Sequence, residues 1–95
     1  MIRHAVLITM KPDTSTETIE TVVEQGRKMA SEIPTLRQIE VGRGGNPGNA
    51  SVGIVALFDD MDGFQEYLTH PAHQAFGKDH IRPVADQITQ VQFEI

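Results

Sequence analysis

The chain contains no cysteine and no tryptophan, and it has a single tyrosine. Without thiols it can form neither disulfides nor thiolate metal sites, which suits a reducing compartment, and a cytoplasmic location is expected. Cations are short as well: 8 Lys and Arg stand against 13 Asp and Glu, a formal net charge of −5. Broad electrostatic binding of nucleic acid or an anionic membrane surface needs clustered positive charge, so neither partner is expected. No apolar run approaches the ~20 residues that span a bilayer. The segment Met1–Met10 has one arginine and alternates in polarity, with no small-residue cleavage site after it, so no signal peptide is expected.

What is present is an apolar fraction of 39%, enough for the core of one small domain expected to cover residues 1–95. Ile2 to Met10 reads as a strand, with His4, Val6 and Ile8 on one face and Arg3, Ala5 and Leu7 on the other. Thr14, with Glu17 three residues on, has the pattern of a capping box. The helix it opens runs to about Glu32, with Ile19, Val22, Val23, Gly26, Ala30 and Ile33 along one stripe, and Pro34 ends it.

Leu36 to Arg43 and Ser51 to Asp59 read as the second and third strands, joined by the loop Gly44-Gly45-Asn46-Pro47-Gly48-Asn49. That loop lacks the Gly-Lys-Ser/Thr ending of a phosphate-binding loop, and a strand follows it, so it is a connection. Asp60 or Asp62 caps a helix carrying Phe64, Tyr67 and Leu68. Pro71 suits the first position of a new helix, which puts His70 at its N-cap and His73 third within it. Phe76 and Ile81 are apolar anchors, a turn is expected near Gly77, and Gln87 to Ile95 is the last strand.

The order β-α-β-β-α-β defines an α+β, ferredoxin-like fold with two helices on one face of a four-stranded antiparallel sheet. The first and third strands are then central, and both are apolar on both faces. Helices cover only one face, and a bare apolar face of several hundred Å² is rarely tolerated by a monomer. A second sheet from an identical chain is the simplest cover, giving a homodimer through sheet faces.

Chemistry concentrates in Tyr67-Leu68-Thr69-His70-Pro71-Ala72-His73. Imidazole gains and loses a proton near neutral pH, and a phenol donates or accepts a hydrogen bond uncharged. His73 can act as a general base or stabilise a helix start. Tyr67 can bond a substrate carbonyl or enolate, or pack in a helix interface. His70 sits where N-caps sit; a metal site with His73 would need further ligands, and no carboxylate stands at a suitable spacing, so no metal is expected. His4 lines a pocket if its strand face looks to the helices, and the partner sheet if it does not. A helix N-terminus at His73 would lower its pKa.

Arg3-His4-Ala5-Val6-Leu7-Ile8, Ile33-Pro34, Glu40-Val41-Gly42 and Tyr67 through Phe76 together resemble the stress-responsive A/B barrel (Dabb) family of dimeric α+β barrel proteins. His-Pro-x-His-x-x-Phe is the most specific part. The resemblance implies a homodimer whose two sheets pack into a barrel. One member, a plant polyketide cyclase, closes a linear poly-β-ketone by aldol condensation with a histidine and a tyrosine of this segment, which fall on His73 and Tyr67. It implies His73 and Tyr67 as catalytic residues. The expected ligand is a small, largely apolar, oxygenated molecule contacted also by His4, His70 and Phe76, and no cofactor is expected. Two other readings stand beside the proton-transfer enzyme: a non-catalytic, stress-associated binding module, and a cofactor-independent monooxygenase.

Overall fold

Alternation in the central strands sets the architecture. In the computed structural model, which describes residues 1–45 and 50–95, β1 (Ile2–Met10) buries Ile2, His4, Ile8 and Met10 and turns Arg3, Ala5, Leu7 and Thr9 the other way. β2 (Gln38–Arg43), β3 (Val52–Phe58) and β4 (Ala85–Glu94) complete an antiparallel sheet in the order β2-β3-β1-β4. The first and third strands are central, as the ferredoxin-like order requires. His4 lies opposite Ala56 on β3 and Gln92 on β4; Val6 lies opposite Ile54 and Gln90; Ile8 lies opposite Val52 and Ile88. Residues 46–49 of the expected β2–β3 loop lie outside the described residues.

Helix α1 (Thr16–Glu32) begins one residue later than the Thr14 capping pattern implied. Ser15 is its N-cap, extended at φ −70°, ψ 155°, and its hydroxyl accepts a hydrogen bond from the Thr18 amide. The buried stripe is Val22, Val23, Gly26 and Met29 rather than one through Ala30, because a 3.6-residue period carries the face from Gly26 to Met29 and on to Ile33. At Gly26 α1 packs close against β2: a Cβ there would sit 3.3 Å from both methyls of Val41. Arg27 then donates two hydrogen bonds to the Val41 carbonyl, at 3.1 and 2.9 Å, which ties the helix to the edge strand β2.

Helix α2 (Met61–Thr69) is capped by Asp60, whose carboxylate accepts from the Gly63 amide at 2.8 Å. Helix α3 (Pro71–Phe76) starts at the proline, with His70 as its N-cap. The turn expected near Gly77 comes later. Gly77 keeps helical dihedrals, φ −62° and ψ −46°, and the chain widens into a π-helical turn over Gly77–Ile81. The wider i→i+5 spacing lets Phe76 and Ile81, five residues apart, both reach the core. Pro83 follows, and the reversal closes when the Val84 amide bonds the Ile81 carbonyl at 3.1 Å.

The core lies between helices and sheet: Ile8, Val22, Met29, Ile33, Val52 and Phe58 are its most completely buried large side chains. The other face of the sheet is uncovered in the protomer.

Candidate functional site

Three ring-bearing side chains from three elements meet over the β1–β4 half of the sheet. His4 comes from the helix-facing side of β1, Tyr67 from the last turns of α2, and His73 from the first turn of α3. Pro71 makes the bend between α2 and α3, so their side chains converge across it. The Tyr67 and His73 ring centroids are 4.3 Å apart, and Tyr67 lies edge-on to His4 at 6.1 Å. Phe64, 5.0 Å from His4, and Phe58, 5.0 Å from Tyr67, back the group with apolar surface.

All three residues line one cavity of about 360 Å³. Val6, Ile8, Ile54, Phe76, Ile81 and Ile88 form its apolar wall, and Gln90 and Arg82 complete its polar lining. His4 and Tyr67 are each 2% exposed, so these two polar groups sit deep, while Gln90 and Arg82 are at the surface. A larger depression of about 700 Å³, lined by Leu7, Glu40, Gly42, Gly53 and Val55, opens on the opposite face of the sheet, away from the histidines.

Hydrogen bonds assign the tautomers. The Leu68 carbonyl, freed at the end of α2, can only accept, so Nδ1 of His73 at 3.2 Å donates to it. Gln74 donates to the same oxygen at 2.6 Å. The lone pair of the neutral His73 ring is therefore on Nε2. Gln92 Nε2 donates to Nδ1 of His4 at 2.7 Å, which places the His4 proton on Nε2.

Burial governs the protonation states. It lowers the pKa of His4 from 6.5 to about 4, with the neighbouring His73 adding to the effect. Burial also lowers the pKa of His73, and its hydrogen bond to Leu68 opposes part of that. The lowering expected from the helix start thus has burial as its main cause; α3 has only six residues to supply a dipole. Burial pushes the Tyr67 hydroxyl up to about 12. At neutral pH the cluster presents neutral imidazoles and a protonated phenol.

Of the sequence candidates, His73, Tyr67, His4 and Phe76 come together at the cavity. His70 does not line it: its Nδ1 accepts from the Ala72 amide at 3.0 Å as the cap of α3. His80 lies against Phe76, at 6.2 Å between ring centroids. Among the described residues no group of three or more His, Cys, Asp and Glu side chains is arranged to hold a metal ion, and no helix is long and apolar enough to cross a membrane. Gln92, Gln90 and Arg82 were not singled out from sequence. Gln92 and Gln90 depend on the long-range register of β1 with β4, and Arg82 on the π-helical turn that precedes β4; the chain carries no local signal for either.

The family model for the stress responsive A/B barrel domain matches residues 2–95. No curated protein matches the chain. A dimeric ferredoxin-like protein of unknown function from Thermobifida fusca is 31% identical, covers 99% of this chain and 90% of its own, and superposes with a TM-score of 0.88. A dimeric protein of unknown function with a ferredoxin-like fold from Bacteroides fragilis is 28% identical over 99% of this chain and 95% of its own, at 0.84. Hydroxynitrile lyase from Passiflora edulis shares the fold at 17% identity, over 99% of this chain and 92% of its own, with a TM-score of 0.86.

Proposed function

The chain belongs to the stress responsive A/B barrel domain family, and from that premise we propose that it is a homodimeric, cofactor-free proton-transfer enzyme acting on a small, largely apolar carbonyl compound. The observation that carries this reading is the convergence of His73, Tyr67 and His4 on one apolar-walled cavity. A volume of about 360 Å³ lies within the range of small-molecule sites.

In this reading the substrate carbonyl lies against Tyr67, with its α-carbon facing His73. Nε2 of His73 takes the α-proton. The electron pair of the C–H bond moves into the new C=C bond, and the carbonyl oxygen becomes an enolate that accepts a hydrogen bond from the Tyr67 hydroxyl. The enolate carbon then attacks a second carbonyl of the substrate, closing a ring as the carbonyl π pair moves onto oxygen and the new alkoxide takes the proton from the His73 imidazolium. Alternatively the imidazolium returns its proton to another carbon of the enolate system, completing an isomerisation and restoring neutral His73. The Nδ1–H bond to Leu68 holds the ring orientation and supports the imidazolium that forms. His4, held by Gln92, offers Nε2–H as a second donor to the oxygen. The apolar wall strengthens each of these contacts.

The homodimer forms through the uncovered sheet face. Leu7, Val55, Val91 and Phe93 are exposed there at 53, 36, 53 and 44%. Dimeric relatives of the same fold support this assembly.

Enolisation is read directly as deuterium incorporation. Enolisable ketones incubated with the protein in D2O and followed by NMR should exchange their α-protons faster than in buffer. His73→Ala should slow this by about 10²-fold or more, and Tyr67→Phe by less. Exchange at the wild-type rate in His73→Ala refutes His73 as the base.

A further inference from the structure

The charge around the cavity runs against the charge of the chain. The chain has 13 Asp and Glu against 8 Lys and Arg, yet among the described residues no acidic side chain lines the cavity, and the one charged side chain that does is Arg82. The ion pairs among the described residues, Arg37 with Asp59 and Arg43 with Glu20, do not include Arg82. Its backbone is fixed where the helical segment ends, with its amide bonded to the Gly77 carbonyl at 2.9 Å, while its side chain is at the surface. A guanidinium presents planar donors that match a carboxylate, and it keeps its charge at every physiological pH.

Its position along the cavity is set by the strand register. His4 pairs with Gln92, Val6 with Gln90 and Ile8 with Ile88, so these pairs step along one wall. Four residues of strand cover about 13 Å. The Lys11 amide bonds the Val84 carbonyl, which places the residue 82–84 reversal beyond the Ile8 end of β1. Arg82 therefore stands at the end away from His4, with apolar wall between them. The volume of about 360 Å³ corresponds to about a dozen water molecules, and so to a ligand of about that many non-hydrogen atoms.

We infer that Arg82 is a specificity-determining residue, and that the ligand of this cavity is an oxo acid: a carboxylate held by Arg82 at the rim, an apolar middle against Val6, Ile8 and Ile88, and a carbonyl at the inner end by Tyr67 and His73. This rests on the reading of the cavity as the ligand site and adds the class of ligand to it. Gln90, facing the middle of the wall, supplies a further donor toward the acid. Gly77 lines the same space, and a Cβ built on it meets no atom within 4 Å, so a larger side chain there would narrow the passage between the two ends.

The test uses two matched probes, 7-oxooctanoate and its neutral amide 7-oxooctanamide. Binding is followed through the imidazole NMR signals of His73 and His4 during titration of the full chain. Both probes should shift those signals, the acid binding about tenfold more tightly, the size of one charge-assisted contact. Arg82→Gln should bring the acid down to the affinity of the amide without changing the amide. Arg82→Lys should retain part of the preference, and high salt should weaken it. Gly77→Leu should weaken both probes.

If both probes shift the imidazoles but bind equally, or Arg82→Gln leaves the preference intact, the role of Arg82 is overturned while the cavity reading stands. If neither probe perturbs His73 or His4, the cavity reading fails and the oxo acid assignment fails with it.

Discussion

On β1, Ile2, Ile8 and Met10 are 4, 1 and 5% exposed, whereas Leu7, between Val6 and Ile8 in sequence, is 53% exposed. On β3, Val52, Ala56 and Phe58 are sealed completely, whereas Val55 is 36% exposed. One face of the sheet is thus a finished interior, with helices, aromatic contacts and a cavity. The other carries comparably apolar side chains with nothing over them in the protomer. A strand serves both because its side chains alternate, so one run of sequence supplies two surfaces. The comparison teaches that apolarity alone does not identify the core of this fold: the face with helices holds the aromatic cluster and the cavity, and the face without them is the one proposed for assembly.

The sharpest way to break this contrast is to charge the open face. Leu7→Asp puts a carboxylate at the centre of the proposed contact, where burial without a partner costs several kcal/mol. The dimer dissociation constant should rise by about 10³-fold, read by sedimentation as a monomer at concentrations where the wild type is a dimer. Unchanged sedimentation of Leu7→Asp, or a monomeric wild type at micromolar concentration, removes the assembly role of this face.

Truncation separates the faces next. Phe58 packs against Phe64 and Tyr67 at 5.6 and 5.0 Å between ring centroids. Phe58→Ala should cost about 3–5 kcal/mol in denaturant unfolding, whatever the protein concentration. Val55→Ala, three positions earlier and on the open face, should cost about 1 kcal/mol, and its cost should vary with concentration, since it acts through the dimer. Equal, concentration-independent losses would mean that the two faces do not differ as described.

Acid probes the covered face through His4. The unfolded chain binds a proton below 6.5, but folded His4 does so only below about 4. Stability is therefore full above 6.5 and falls as pH drops from there toward about 4, by about 3 kcal/mol at most for this group. His73, also lowered, contributes with the same sign. Unfolding of the wild type and of His4→Phe at pH 7.5, 6 and 5 should show a shallower loss in the variant. Parallel curves would mean that His4 is not held neutral by burial.

The fold was legible in the sequence because its signals are local. Alternation marked β1 and β3, Asp60 and Pro71 marked helix starts, and the two-faced central strands implied a partner. Errors fell where competing local signals lay one residue apart: Ser15 against Thr14 as a cap, Met29 against Ala30 in the stripe. The π-helical turn was missed because Gly77, a turn residue by composition, is held in a helical conformation by the burial of Phe76 and Ile81 on either side of it. At the site, the Tyr67–His73 pairing was legible through the Pro71 bend. The partners that set its chemistry were not: the Leu68 carbonyl is a backbone group, and Gln92 reaches His4 from 88 positions away.

The smallest expected effect separates two histidines that look equivalent in sequence. His70 and His73 stand three residues apart across Pro71, yet His73 lines the cavity and His70 spends Nδ1 on the Ala72 amide. Capping is a role that Asn or Asp fills and Ala does not. His70→Ala should therefore cost about 1 kcal/mol in stability. His70→Asn should restore it and leave α-proton exchange within about twofold of the wild type, as for a surface change that touches no working group. The same Asn substitution at His73 should abolish the exchange, because an amide has no basic lone pair to take the proton. If His70→Asn keeps its stability but loses exchange, His70 is a ligand residue, and the site must extend beyond the cavity lining to the N-cap of α3.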